Sequence, residues 1–341
     1  MPSLPQSFKS AVLKDANSPL ELQDTQLRMP GPGQVLIKVL ACGICHSDAF
    51  VQAGHLGNPW PLVLGHEIVG DVVAVGDGVK RWKEGDRVGG GWHGGHDGVC
   101  RSCQRGQFQM CSSQDVNGVT MDGGYAEYAL LRSEAVVSVP RELDPAEVAP
   151  FMCAGTTVFN GIRKLHVEQG SLVAVQGLGG LGHLAVQYAR GMGYRVVAIS
   201  RGGQDKRDFA AKLGAHEFID TSTEDPAKKL SEMGGAALIV ATAPNGKAMS
   251  GLVGGLQNGG KLLVLAPVGP VEFNTGALVT KAASVHGWPS GHAIDSEEAI
   301  EFARSHGVKC MINRWELAKA NEALEDMKAG KPRFRNVLVM E

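Results

Sequence analysis

The feature that most restricts how this chain can fold is LVAVQGLGGLG at residues 172–182, where Gly177, Gly179 and Gly182 fall in the spacing GxGxxG. The run follows a β-branched stretch and opens the helix-like GHLAVQYARGMG. In that setting the first glycine permits a tight turn, the second lets the backbone approach a pyrophosphate, and the third lets the helix close on the strand. The helix N-terminus then favours the anion, with Gly180 and Leu181 inside the turn. A ligand-free glycine-rich turn is the competing reading, and it leaves the flanking pattern without a reason. That pattern alternates strand and helix through YRVVAIS, KRDFAAKLGA, EFID, ALIVAT at 237–242 and KLLVLAPVG at 261–269. Such alternation predicts an α/β fold with a doubly wound parallel sheet, ending near Gly287.

The flanking segments differ in texture. Before about residue 140, short β-rich runs are separated by Gly, Pro and Asp: QVLIKVL at 34–40, GDVVAVG at 70–76, GDRVGGGW at 85–92 and YAEYALL at 125–131. This half reads as a turn-rich β domain. Beyond Gly287, helices are expected over 296–307 and 315–330, followed by the strand-like RNVLVM, which is expected to pack back on the first domain. The nucleotide-type domain is then inserted in a discontinuous partner. A length of 341 residues suits about two domains, and 33 Lys+Arg against 35 Asp+Glu removes the basic excess of a nucleic-acid binder. With no membrane-length apolar run and no apolar core in MPSLPQSFKS, a soluble, cytoplasmic protein with no membrane partner is expected.

About 20 residues past the glycine run, an acidic residue would bind the ribose 2′-OH of NAD. The second strand instead ends in Ser200-Arg201, with Lys206 and Arg207 nearby. A hydroxyl and a guanidinium suit a 2′-phosphate, so NADP(H) is favoured and NAD(H) is the alternative, in which the loop charges are merely solvated.

The cysteines number seven and are unevenly spread, which is not a disulfide framework. Asp97, Cys100, Cys103 and Cys111 have the composition and spacing of a closed tetrahedral zinc site, structural because it has no open position. His96 competes with Asp97 for the fourth place. A second, dispersed set comprises Cys45 in ACGICHSDAF, His66-Glu67 in LGHEIVGDV and Cys153 in APFMCAGTT, and spacing cannot join them.

The string GHEIVGDVVAVGDGVKRWKEGDRV, with CGICHSD, the cysteine lobe and GLGGLG, resembles the zinc-dependent alcohol dehydrogenases of the medium-chain dehydrogenase/reductase superfamily over nearly the whole chain. The resemblance implies a GroES-like catalytic domain over 1–153, a Rossmann cofactor domain over 154–288 and a C-terminal return over 289–341. It implies two zinc ions per chain, a small alcohol, aldehyde or ketone substrate, and a homo-oligomer, tetramer or dimer. Carried over by position, Cys45, His66 and Cys153 match the catalytic zinc ligands, and Glu67 matches a residue that approaches the metal during ligand exchange. Asp48 matches the carboxylate that orients His66, and Ser47 the group that accepts the alcohol proton. His46 and Arg335 match contacts to the pyrophosphate, Thr157 and Leu181 flank the nicotinamide, and Trp60, Trp92 and Met110 line the substrate pocket.

Two positions depart from the family pattern. Asp97 replaces a cysteine of the lobe, and Phe50 replaces a histidine that ends the proton relay, so that the relay passes from Ser47 through the cofactor ribose to water. A zinc-free quinone or enone reductase and a non-catalytic structural relative are the rival readings, and neither needs the ligand residues retained here.

Overall fold

The computed structural model describes residues 4–340. The chain divides into two compact units. One holds the residues up to Thr156 with Gly291–Glu301 and Cys310–Glu341, and the other Thr157–Ser290 with Phe302–Lys309.

In the second unit, six parallel strands lie in the order Glu217–Asp220, Arg195–Ser200, Leu172–Gln176, Ala236–Ala241, Leu256–Val264, Ser284–Gly287. The direction of winding reverses beside Leu172–Gln176, the arrangement of a dinucleotide-binding sheet. Leu172–Gln176 and Ala236–Ala241 are buried along their whole length, which is why they read as unbroken apolar runs. Ala174, Val197, Ile199, Ile239 and Leu262 form part of the core between sheet and helices. The glycine run leaves the first strand as a tight turn. Gly177 has φ +94°, and a Cβ on Gly182 would stand 1.9 Å from the Gly177 carbonyl oxygen, so both positions require glycine. Thr242 Oγ1 donates to the Gln176 carbonyl at 2.8 Å and ties the neighbouring strand end to the same turn.

In the first unit, the principal sheet runs Val136–Ser138, Arg87–Gly90, Ile68–Val75, Gln34–Gly43, Arg335–Val339, Ile312–Glu316, with Tyr128–Arg132 also paired to Gln34–Gly43. A smaller sheet joins Leu20–Gln26, Ser7–Leu13 and Leu62–Val63. Val35, Ile37, Ile44, Leu64, Ile68, Tyr125, Leu131 and Leu338 belong to one core. The last strand lies antiparallel to Gln34–Gly43, with Val337 opposite Gly43 and Leu338 opposite Cys42, so the end of the chain holds the strand that leads to Cys45.

Two elements differ from the sequence expectation. The helix expected over 315–330 begins later, because Ile312–Glu316 is a strand parallel to Arg335–Val339 that places Trp315 opposite Leu338. A short 3-10 turn, Leu317–Lys319, precedes the helix Ala320–Lys328, which serves as the crossover that parallel strands require. Ladder bonds from a partner distant in sequence outweigh the local helical spacing of WELAK. The strand expected over 261–269 stops at Val264. Leu265 still donates to Ala241 O at 3.1 Å, and Pro267, lacking an N–H, cannot extend the ladder.

Asn336 is fully buried in the last strand, and its Nδ2 donates to Ala323 O and Asp326 Oδ2, both at 2.9 Å. Asn336→Ala is expected to lower the stability of the first unit by about 1–3 kcal/mol, since both acceptors lose their donor. Urea denaturation followed by circular dichroism measures this, and an unchanged midpoint would contradict the anchoring role.

Candidate metal centres and dinucleotide loop

Cys45, His66, Glu67 and Cys153 stand on three separate stretches of the first unit, yet each offers a ligand atom within 4.8 Å of the others. Cys45 precedes the helix His46–Gln52, His66 and Glu67 precede the strand Ile68–Val75, and Cys153 follows the 3-10 turn Ala149–Met152. Asp48 organises the group from the first turn of that helix. Its Oδ2 accepts from Cys45 N at 2.8 Å and from Tyr125 Oη at 2.9 Å, while Oδ1 lies 3.2 Å from His66 Nδ1. Burial alone would strip the proton from His66, but the Asp48 carboxylate outweighs it and raises the imidazole well above its ordinary value. In the neutral ring, the one that can bind a metal, the nearby Oδ1 favours hydrogen on Nδ1.

Both His66 nitrogens and Asp48 Oδ1 are buried without a hydrogen bond among the described residues, so Nδ1 meets Asp48 as a close ion-pair contact, while Nε2 has no such contact with a carboxylate. Beside it, the sulfurs of Cys45 and Cys153 lie 3.9 Å apart. Two sulfurs bound at about 2.3 Å to one tetrahedral ion would stand about 3.8 Å from each other. The Cys153 thiol, and against burial the charges of Arg335 and His66, hold Cys45 well below the usual thiol range, so the pair keeps its proton on Cys153. One nitrogen and two sulfurs within 4.8 Å of one another, in a site where His66 and Cys45 are buried and Cys153 half-buried, fit a metal ion.

Glu67 is also fully buried. Its Oε1 accepts from Arg335 Nη2 at 2.7 Å, while burial pushes the carboxyl up to about 8 against the pull of Arg335. A Cβ on Gly43 would fall 2.0 Å from Glu67 Oε2, so the carboxylate fits only because that residue is glycine. Arg335, expected at the pyrophosphate, is buried in this ion pair, with Nη2 4.0 Å from Cys45 Sγ. Ser47 is half-buried, its Oγ 3.7 Å from Cys45 Sγ, and His46 is exposed at the first position of the helix. Trp92 meets His66 edge-on at 4.9 Å between ring centres, and Trp60 and Trp92 are half-buried against the core. Met110 is half-buried at the end of the 3-10 turn Phe108–Met110.

Asp97, Cys100, Cys103 and Cys111 form the second group within 4.8 Å. Asp97 Oδ1 accepts from Val99 N and Cys100 N, both at 2.9 Å, and these amides hold its carboxyl well below the usual range. Cys111 Sγ accepts from Asp97 N and Ser113 N at 3.4 Å, and lies 3.9 Å from Cys100 Sγ. Backbone amides of Cys103 and Ser112 bring Cys100 down to about 7. Amides aimed at sulfur stabilise thiolate, the form that binds metal. His96 does not compete for this group: its Nδ1 lies 3.1 Å from His93 Nε2, and its ring stacks on Phe108 at 4.2 Å. Sequence reading passed over His93, whose signal is the spacing His93-Gly-Gly-His96.

In the second unit, Gly177, Gly179, Gly180, Leu181 and Gly182 form the turn into the helix Gly182–Gly191. Thr157 is buried in the helix Ala154–Lys164. Ser200 ends its strand opposite Asp220 in the neighbouring one. That carboxylate is already engaged, Oδ1 accepting from Gly202 N at 3.2 Å and from Ser222 N at 2.9 Å. Arg201 is exposed, and Lys206 is half-buried with its stem over Gly202, where an added Cβ would meet Lys206 Cγ at 2.6 Å. Arg207 turns instead onto the Phe218 ring at 5.4 Å.

Among known proteins, residues 31–141 match the alcohol dehydrogenase GroES-like domain and residues 180–305 the zinc-binding dehydrogenase family. The alcohol dehydrogenase patD of Penicillium expansum is 53% identical over 336 residues, covering 98% of either chain. The cinnamyl alcohol dehydrogenase of Sorghum bicolor superposes with a TM-score of 0.88 at 32% identity, over 98% of this chain and 97% of that one. Acetophenone reductase from Geotrichum candidum, solved in complex with NAD, gives 0.86 at 28% identity, over 99% and 98%.

Removing the Asp48 carboxylate deprives Cys45 N and Tyr125 Oη of their acceptor and frees the His66 ring to rotate. Asp48→Ala is expected to weaken metal retention about 10- to 100-fold, read by competition with a chromogenic chelator. Retention equal to that of the parent protein would show that His66 is positioned by other means.

Proposed function

Because the chain belongs to the alcohol dehydrogenases of the medium-chain dehydrogenase/reductase family, and so is an NAD(P)-dependent enzyme for small molecules, we propose that it is zinc-dependent, favours NADP(H), and interconverts alcohols with aldehydes or ketones. The observation that carries this reading is the orphaned His66 Nε2 beside two sulfurs 3.9 Å apart. Cys45, His66 and Cys153 are three protein ligands, which leaves one tetrahedral position for substrate oxygen. Asp97, Cys100, Cys103 and Cys111 supply four and hold a second, structural zinc. When bound, the catalytic zinc supplies Lewis-acid polarisation of the substrate oxygen, and the nicotinamide supplies the hydride acceptor or donor.

The protein's own groups perform the rest. Asp48 orients His66 through Nδ1, so that the neutral ring offers its Nε2 lone pair to the metal, which displaces the second proton. The Ser47 hydroxyl accepts the alcohol proton at Oγ during oxidation and returns it during reduction. Arg335 holds Glu67 by its Oε1, which leaves Oε2 as the carboxylate oxygen able to approach the metal during ligand exchange. Within the second unit, Thr157 and the turn from Gly177 to Gly182 bind the dinucleotide, while the first unit carries the catalytic groups. Trp60, Trp92 and Met110 wall the substrate site. A cytoplasmic tetramer or dimer accords with the shorter branch of the family; no helix among the described residues is long and apolar enough to cross a membrane.

The cofactor preference rests on Ser200, Arg201 and Lys206 at a strand end where the nearest carboxylate, Asp220, is engaged by Gly202 and Ser222. Arg201→Ala is expected to lower kcat/KM for NADPH about tenfold or more while changing that for NADH little, as befits loss of a charge-assisted phosphate contact. A tenfold preference of the parent enzyme for NADH would contradict the assignment.

The zinc dependence has its own test. Dialysis against dipicolinate is expected to abolish alcohol oxidation and zinc to restore it. Activity that survives zinc removal would favour the zinc-free reductase reading.

A further inference from the structure

Tyr125 belongs to neither metal group, yet it is tied to the first of them from two sides. It is fully buried, and its Oη donates to Asp48 Oδ2 at 2.9 Å. Burial, and after it the Asp48 charge, pushes the hydroxyl well above its ordinary value, so it keeps its proton and remains a donor. The ring is held beside the chain that leads into His66. Tyr125 N donates to Leu64 O at 2.9 Å, and Tyr125 O accepts from Ala11 N at 2.8 Å. Gly65, which directly precedes His66, has φ +99°, and a Cβ there would fall 2.4 Å from Tyr125 Cδ1. The ring therefore fills the space that a side chain at position 65 would need.

The hydroxyl adds what the ring alone does not. Asp48 Oδ2 accepts from Cys45 N at 2.8 Å as well as from Tyr125, and Oδ1 lies 3.2 Å from His66 Nδ1. A carboxylate held by one donor can still turn about the bond that joins it to its side chain. Here one donor comes from the residue before the same helix, and the other from a residue 77 positions beyond Asp48. Two donors from separate stretches fix the carboxylate plane, and with it the direction in which Oδ1 faces the imidazole. A phenylalanine ring would pack the same space without supplying the second donor.

We propose that Tyr125 is a positioning residue of the reaction centre: its hydroxyl fixes the Asp48 carboxylate, which in turn holds His66 in the orientation that a metal ion requires. This rests on the reading of Cys45, His66 and Cys153 as zinc ligands. The influence of the Tyr125 hydroxyl on the metal passes through Asp48 alone.

The test measures zinc retention by competition with a chromogenic chelator in Tyr125→Phe, Asp48→Ala and the double variant. Tyr125→Phe is expected to lower the retention of one zinc per chain about tenfold and to leave the other unchanged. In the Asp48→Ala background the same change is expected to cost nothing further, because the carboxylate through which the hydroxyl acts is gone. A packing role would add its cost in either background. Unchanged retention in Tyr125→Phe, or an equal loss with and without Asp48, would therefore overturn the proposal. Should Asp48→Ala fail to fold or hold too little zinc to measure, NMR of zinc-loaded protein labelled in its histidine nitrogens decides. The His66 Nδ1 resonance is expected to move in Tyr125→Phe, and an unmoved resonance would overturn the proposal. Zinc content that is unchanged in Cys45→Ala would instead strike at the ligand reading, and this proposal would fall with it.

Discussion

The Asp48 carboxylate, sealed from solvent, receives the Cys45 amide and the Tyr125 hydroxyl on one oxygen and faces His66 with the other. A buried carboxylate is tolerable only with such partners, and in accepting them it fixes two candidate ligands at once. Cys45 is fixed through its backbone, and His66 through the nitrogen that does not face the sulfurs. The unsatisfied His66 Nε2 follows from this, because an imidazole anchored at Nδ1 must present its other nitrogen elsewhere. That remaining nitrogen, within 4.8 Å of two sulfurs, is the chemical demand the proposed zinc answers.

The fold brings the parts of this arrangement together. The final strand, arriving from the far end of the chain, pairs along Ala41–Gly43 and delivers Arg335 to Glu67. Gly43 makes room for the Glu67 carboxylate where any side chain would collide with it. The strand that supports Cys45 and the strand that carries the counter-charge of Glu67 are therefore neighbours in one sheet, although they lie at opposite ends of the sequence. The second unit meets a different requirement. Its glycine turn is locked by Thr242 and by the close approach of Gly182 to Gly177, the shape on which the proposed binding of a phosphate by backbone amides rests.

Much of this is legible in the sequence, for local reasons. Gly177, Gly179 and Gly182 announce their turn because strand, turn and helix are contiguous. Likewise Asp97, Cys100, Cys103 and Cys111 sit close enough in the chain for composition to suggest a cluster, though only the stacking of His96 on Phe108 separates it from Asp97. Cys45, His66 and Cys153 are different: no spacing rule connects three distant segments, and family resemblance was needed to group them. Trp315 read as helical because its local spacing is helical, while the strand that claims it lies 20 residues further on. His93 went unnoticed because a lone buried histidine next to two glycines has no local pattern beyond its spacing to His96.

The account depends most on one ion held by Cys45, His66 and Cys153. Anomalous diffraction from zinc-loaded crystals, collected above and below the zinc absorption edge, tests it directly. The predicted result is a peak about 2.3 Å from both sulfurs and about 2.0 Å from His66 Nε2, with a second peak among Asp97, Cys100, Cys103 and Cys111. A fully metallated crystal that shows density at the second position but none between the sulfurs of Cys45 and Cys153 would contradict it.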